Sequence, residues 1–246
     1  MGVYAVFTVC YFLSEKSIVK ITFKGFKFNH QIAAGIFSVG LSALIMQLNG
    51  FVRQVILFKT VTWYSSGTDV AFFSAVFRVH SFSVIPIFGM LQAMQPIVGI
   101  NFGAKQYDRS IAALRYFRIG SMGLMLVILL PILIFPQTIL SLLLPQMQFS
   151  TADIFHFRLL MCILPIAPIA STSVVFLQAT GNGRTSTYLA LGRELVLFVP
   201  LMILLPYTIG KSGIYYGLFL ENILYMLIVF TAFRREVWKI HASTNT

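Results

Sequence analysis

Apolar residues fill long stretches of this chain, and polar residues gather in the short gaps between them. The stretches cover about 31–57, 70–102, 119–144, 154–180, 195–209 and 214–233. A helix needs about 20 mostly apolar residues to cross a hydrocarbon core about 30 Å thick. Five of the stretches meet that length, and 195–209 meets it if the helix reaches back through Thr187–Glu194. No segment alternates with period two over many strands, which excludes a β-barrel. The pattern therefore predicts an all-α integral membrane protein with a six-transmembrane-helix bundle over 31–233. Residues 2–13 are apolar but too short to span. They lack a basic region before them and a small-residue cleavage site after them. They read as a truncated N-terminal apolar segment, a partial transmembrane helix over 1–13. A basic linker over 14–30 and a tail over 234–246 complete the expected organisation.

Proline and glycine refine the spans. Residues 70–102 would make a helix of roughly 50 Å, longer than the hydrocarbon core. With Pro86 and Pro96 inside it, this span is expected to kink, tilt or protrude. Pro165 and Pro168 interrupt the fourth span beside Ser171, Thr172 and Ser173, hydroxyls that satisfy freed carbonyls or face a cavity. Gly181, Asn182 and Gly183 are turn formers and close that span.

Composition agrees. The chain is 58% hydrophobic and 10% charged, against roughly a quarter charged in soluble domains. Its net charge of +11 would suggest nucleic acid in a soluble protein. Here the basic residues sit in loops, so they read as orientation signals and headgroup contacts, with no nucleic-acid partner. Lys16, Lys20, Lys24 and Lys27 lie in 14–30, and Lys105, Arg109, Arg115 and Arg118 in 103–118. Arg184 and Arg193 lie in 181–193, and Arg234, Arg235 and Lys239 in the tail. The opposite loops hold only Lys59, Arg158 and Lys211. Loops 14–30, 103–118, 181–193 and the C-terminus are therefore expected to be cytoplasmic, in a multi-pass protein of the plasma (inner) membrane.

Polar residues inside the spans are the candidate site. Gln47, Asn49, Arg78, Gln92 and Glu221 are candidates for a cavity or its support, because each is costly facing lipid. Glu221 is the acidic residue deep in a span. It reads as a proton- or cation-handling carboxylate, or as one arm of a structural pair with a basic residue or an amide, Arg78 being the candidate base. Gln92 lies about 40° from Arg78 around the helix, so the two share a stripe. His80 lies about 200° from Arg78 and is the proton-relay candidate or a packing residue. No catalytic set, metal cluster or phosphate loop is present, so no enzyme, metal or cofactor is expected.

Three motifs carry a family resemblance. The run Phe88 to Lys105 (FGMLQAMQPIVGINFGAK) resembles the second helix of the C-terminal lobe of multidrug and toxic compound extrusion (MATE) transporters. Residues 177–186 (LQATGNGRTS) resemble the end of that lobe's fourth helix, and 213–222 (GIYYGLFLEN) the start of its last. Gln95, Pro96, Gly99, Asn101, Gly103, Gly181 and Asn182 are the motif positions.

The resemblance implies one lobe of a twelve-helix fold. It implies the C-terminal half of a multidrug efflux antiporter that exports cationic or amphipathic compounds in exchange for H+ or Na+. Membrane lipids, organic cations, and an N-terminal six-helix lobe or a second copy would then be its partners. Where some members place carboxylates in the first and fourth helices of this lobe, this chain has Gln47, Asn49 and hydroxyls. A flippase-type transporter of lipid-linked saccharides, in the wider superfamily, and a non-transporting truncated membrane protein are the alternatives.

Overall fold

The computed structural model describes residues 48–244, together with residues 2, 6, 7, 10 and 11. Gln47 and the linker 14–30 lie outside the described residues. The chain divides into two units, 1–48 and 49–246. The few described residues of the first unit are helical. Everything below concerns the second.

All regular structure among the described residues of this unit is helical. Helix α1 runs to residue 64, seven positions past the expected end of its span. Helix α2 covers Gly67–Gly103, α3 Tyr107–Ile134, α4 Pro136–Leu143, α5 Thr151–Met161 and α6 Ala167–Ala179. Helix α7, Gly183–Gly192, continues through a π-helical turn, Arg193–Phe198, into α8, Val199–Ile209. Helix α9 spans Ser212–Thr244. Among the described residues, four helical stretches are long and apolar enough to cross a membrane: Gly67–Gly103, Tyr107–Ile134, Gly183–Ile209 and Ser212–Arg235.

Local chemistry explains the boundaries. Ser66 and Asp69 form a capping box at the start of α2, and Ser150 and Asp153 form another at α5. The expected span 119–144 is instead two helices. It breaks at Phe135 because Pro136 disfavours helical backbone in the residue before it, and Phe135 takes φ −118°, ψ 51°. The fourth span breaks as the prolines predict, at a turn over 162–166 between α5 and α6. The hydroxyls of Ser171, Thr172 and Ser173 donate to the carbonyls of Ala167, Pro168 and Ile169, at 2.8, 2.6 and 2.7 Å. Helix α2 stays continuous through Pro86 and Pro96.

Two helices end in the same way. Gly181, at φ +84°, donates to Gln178 O at 3.2 Å, and Asn182 donates to Leu177 O at 2.9 Å. This Schellman pattern needs a left-handed residue, which glycine adopts without strain. At the end of α2 the left-handed position falls on Lys105, at φ 59°. It donates to Phe102 O, and Gln106 donates to Asn101 O. The two motif ends also touch, since a Cβ on Gly99 would lie 3.5 Å from Ala179 O.

The main core packs Leu57 and Val61 of α1 and Phe72, Phe73 and Val76 of α2 with Met125, Phe157, Phe198, Met202 and Leu218. A smaller cluster of Met94, Val98, Leu114, Phe176 and Phe233 fills the other end. Helices α8 and α9 approach closely at two glycines. A Cβ on Gly213 would collide with the backbone of Leu205, and one on Gly217 would sit 2.5 Å from Met202 Cε. Only glycine permits that contact, and it aims the same face of α9 at the preceding helix one and two turns later.

Candidate functional site

Glu221 lies on that face. Gly213, Gly217, Glu221 and Tyr225 repeat every four residues, so one stripe of α9 carries two glycines, a carboxylate and an aromatic ring. Glu221 is fully buried, nine residues into α9 and so roughly 14 Å along it. A lone carboxylate there would be very costly. It is not alone. Arg193 Nε donates to Glu221 Oε1 at 2.6 Å, and Arg53 Nη2 donates to Oε2 at 3.0 Å. Arg53 Nη1 also donates to both oxygens of Glu194, at 3.1 and 3.0 Å, and reaches Glu221 Oε1 at 3.4 Å. Asn222 completes the set. Its Nδ2 donates to Glu221 Oε2 at 2.9 Å, and its Oδ1 accepts from Arg193 Nη2 at 3.0 Å.

Two rings floor the network. The Arg53 guanidinium lies 4.1 Å from the centroid of Phe198, and that of Arg193 lies 4.5 Å from Tyr225. A guanidinium stacks well on an aromatic face because its charge is spread over a plane. Two cations and two anions thus balance within apolar helices, and every buried polar side-chain atom among the described residues has a partner. The network has a closed back and an open front. Side-chain exposure is zero at Glu221 but 14% at Glu194, 22% at Arg53 and 29% at Arg193.

The π-helical turn puts Arg193 and Glu194 into this network. Val199 N–H bonds to Glu194 O rather than to Leu195 O, one residue further back than an α-helix allows. Pro200 follows and has no N–H to donate, so the regular ladder fails at this point. The helix that began at Gly183 carries Arg193 roughly 15 Å along its axis. Arg193 is therefore a residue of the bundle interior and not of a loop over 181–193, as its place beside the apolar run had suggested.

The other candidates fall elsewhere. Arg78 is exposed and is not a partner of Glu221, which corrects the expected pairing. Gln92 is exposed on the same stripe of α2, with Phe82, Ile85 and Gly89 between them, so the stripe survives Pro86. Asn49 is half-buried one turn before Arg53. His80 is half-buried and stacks on Phe77 at 6.4 Å between ring centroids. Gln95, Pro96 and Gly103 are exposed, and Asn101 Nδ2 donates back to Ile97 O at 2.7 Å. Arg118 was expected in a loop over 103–118, but α3 begins at Tyr107 and carries it into the bundle. Its Nε and Nη2 donate to Thr172 Oγ1 and Ser173 Oγ at 3.1 and 2.8 Å, and its guanidinium lies 5.2 Å from Phe233.

Sequence reasoning found Glu221 and missed Arg53 and Arg193 as its partners, and Glu194 as the second carboxylate on Arg53. The signal was available in part. The Gly213, Gly217, Glu221 stripe points at whatever precedes it, and Pro200 marks where that helix departs from α geometry.

Known proteins share this arrangement of helices. A family model described as MatE matches residues 42–204. The chain is 24% identical over 233 residues to the "Multidrug export protein MepA" of Staphylococcus aureus (strain MSSA476). That alignment covers 92% of this chain and 50% of the relative. The protein of the same name from Staphylococcus haemolyticus (strain JCSC1435) is 22% identical, with the same coverage. The chain spans about half the length of these curated relatives. Among solved structures, a MATE protein in a bent conformation matches with a TM-score of 0.84 at 21% identity, covering 99% of this chain and 55% of the other. A MOP superfamily transporter from Pyrococcus furiosus Vc1 (DSM3638) matches with a TM-score of 0.80 at 22% identity, covering 97% and 54%. These likenesses establish a shared fold over this chain.

Proposed function

The chain belongs to the MatE family of multi-pass membrane transporters, and on that premise we propose that it is the C-terminal half of a multidrug efflux antiporter. It exports cationic or amphipathic compounds in exchange for H+ or Na+, and it works together with an N-terminal six-helix lobe or a second copy. The observation that carries this reading is the balanced network of Arg53, Glu194, Arg193 and Glu221, buried among apolar helices yet open on one side. Charges are retained inside a membrane bundle where they line a pathway or its support. Transport by two lobes rocking about a midplane cavity would bring that open side to face the partner. Arg78 and Gln92, exposed on one stripe of α2, are further candidates for the cavity wall, and Asn49 for support beside Arg53.

The name that the relatives carry, multidrug export protein, supports this substrate class. The flippase reading is weaker, because both guanidiniums of the network are already neutralised by carboxylates. In this reading the ends bearing Lys105 and Gly181 and the C-terminus are cytoplasmic, a placement that thiol labelling of single-cysteine variants in intact cells would check.

Efflux of a fluorescent organic cation tests the function. Cells expressing this chain with an N-terminal lobe should extrude the dye, and vesicles should do so only under an imposed H+ or Na+ gradient. Equal dye retention with and without the pair of lobes would overturn the proposal.

A further inference from the structure

We propose that Arg53 occupies, as a displaceable internal ligand, a binding site for planar delocalised cations formed by Glu194, Glu221 and Phe198. The site is built around a guanidinium. Both oxygens of Glu194 lie 3.0–3.1 Å from Nη1, and Glu221 Oε2 lies 3.0 Å from Nη2. The Phe198 ring lies 4.1 Å beneath the guanidinium carbon. Two carboxylates at the edge and an aromatic face below select a flat cation with in-plane N–H donors, such as a guanidinium or amidinium. A compact ammonium or a sodium ion does not match the ring face and the fork together.

The two carboxylates are held differently. Glu221 is fully buried and is gripped by Arg193 and Asn222 as well as Arg53. Glu194 is partly exposed, and both of its side-chain bonds come from one nitrogen of Arg53. Glu221, Arg193 and Asn222 therefore form a fixed back wall, and Glu194 is the exchangeable arm. An incoming planar cation takes Glu194 when Arg53 retracts onto Glu221. Without a ligand, Glu194 would be left uncompensated at the open side of the network, and Arg53 removes that cost. The same residue keeps affinity low enough for release. Arg53 is thus a specificity-determining residue, and Glu194 is the contact it competes for. This deepens the transport reading and rests on it for physiological purpose, but the binding itself is independent of transport.

The test is calorimetric titration of the purified full chain with benzamidinium, and with sodium and tetramethylammonium at matched ionic strength. Arg53→Ala should bind benzamidinium at least about tenfold more tightly than the unaltered chain, the gain expected from freeing one charge-assisted site. Arg53→Ala combined with Glu194→Gln should lose that gain, and adding Phe198→Leu to Arg53→Ala should reduce it. Guanidinium, but not sodium, should raise the melting temperature of Arg53→Ala. Should Arg53→Ala not fold, Arg53→Lys keeps the charge while losing the fork, and should bind benzamidinium more tightly than the unaltered chain. Equal affinity in altered and unaltered chains, or equal rescue by sodium, overturns the proposal. Because no step uses efflux, failed transport alongside these binding results would count against the antiporter reading and not against the site.

Discussion

Two half-buried arginines in this bundle solve the same problem in opposite ways. Among the described residues, Arg118 bonds to the hydroxyls of Thr172 and Ser173 and rests on Phe233. Arg53 bonds to two carboxylates and rests on Phe198. Both are flat cations over an aromatic ring, held by oxygens from other helices. The hydroxyls that hold Arg118 are themselves tied to Pro168 O and Ile169 O, so they have nowhere else to go. That arrangement braces α3 against α6 and offers no exchangeable group. Around Arg53 the partners are charged, and one of them, Glu194, is held through Arg53. A fixed brace and an exchangeable network thus differ in the second partner of each oxygen, not in the arginine.

Graded substitutions sharpen the contrast. The largest effect is expected from Glu221→Leu, which leaves Arg53 and Arg193 without their shared anion. Removing one partner of a buried pair costs about 3–5 kcal/mol, visible as a large fall in melting temperature of the purified chain. A melting temperature within about a degree of the unaltered protein would show that the network is not a structural centre of the bundle. Gly213→Ala comes next. Its Cβ would collide with Leu205 O, and overpacking of this kind costs about 1–3 kcal/mol. Since it also pushes Glu221 away from Arg193, it should weaken benzamidinium binding, whereas a similar loss of stability from Arg118→Met should not. Arg118→Met itself should cost about 1–2 kcal/mol and leave ligand affinity unchanged. A changed affinity would mean that the two clusters are coupled. The smallest effect belongs to Lys211→Met, which breaks the pair with Asp69. Lys211 is 49% exposed, so the loss should be below about 1 kcal/mol and should vanish in high salt.

The bundle was legible in the sequence because its cause is local. Long apolar runs must be helical in lipid, as each backbone group has to find its partner within the segment. Pro165 marked a break and Gly181 marked a cap, since each acts on its own backbone. A helix that continues past its apolar run is not legible in the same way. Arg118 and Arg193 sit at the edges of spans, where a charge beside an apolar run looks like the start of a loop. In the structure each charge has an interior partner, and the helix carries on through it.

The membrane class, the helical architecture and the burial of Glu221 followed from the sequence alone, because apolar length and the cost of a lone carboxylate depend only on composition along the chain. Which cations neutralise that carboxylate was decided by tertiary structure. Arg53 lies 168 positions from Glu221, and Arg193 lies 28 positions from it. They meet because Gly213 and Gly217 let α8 and α9 touch, and because a π-helical turn at Arg193–Phe198 turns two charges inward. Pairing between charges so far apart depends on helix contact and rotation, which no local pattern specifies.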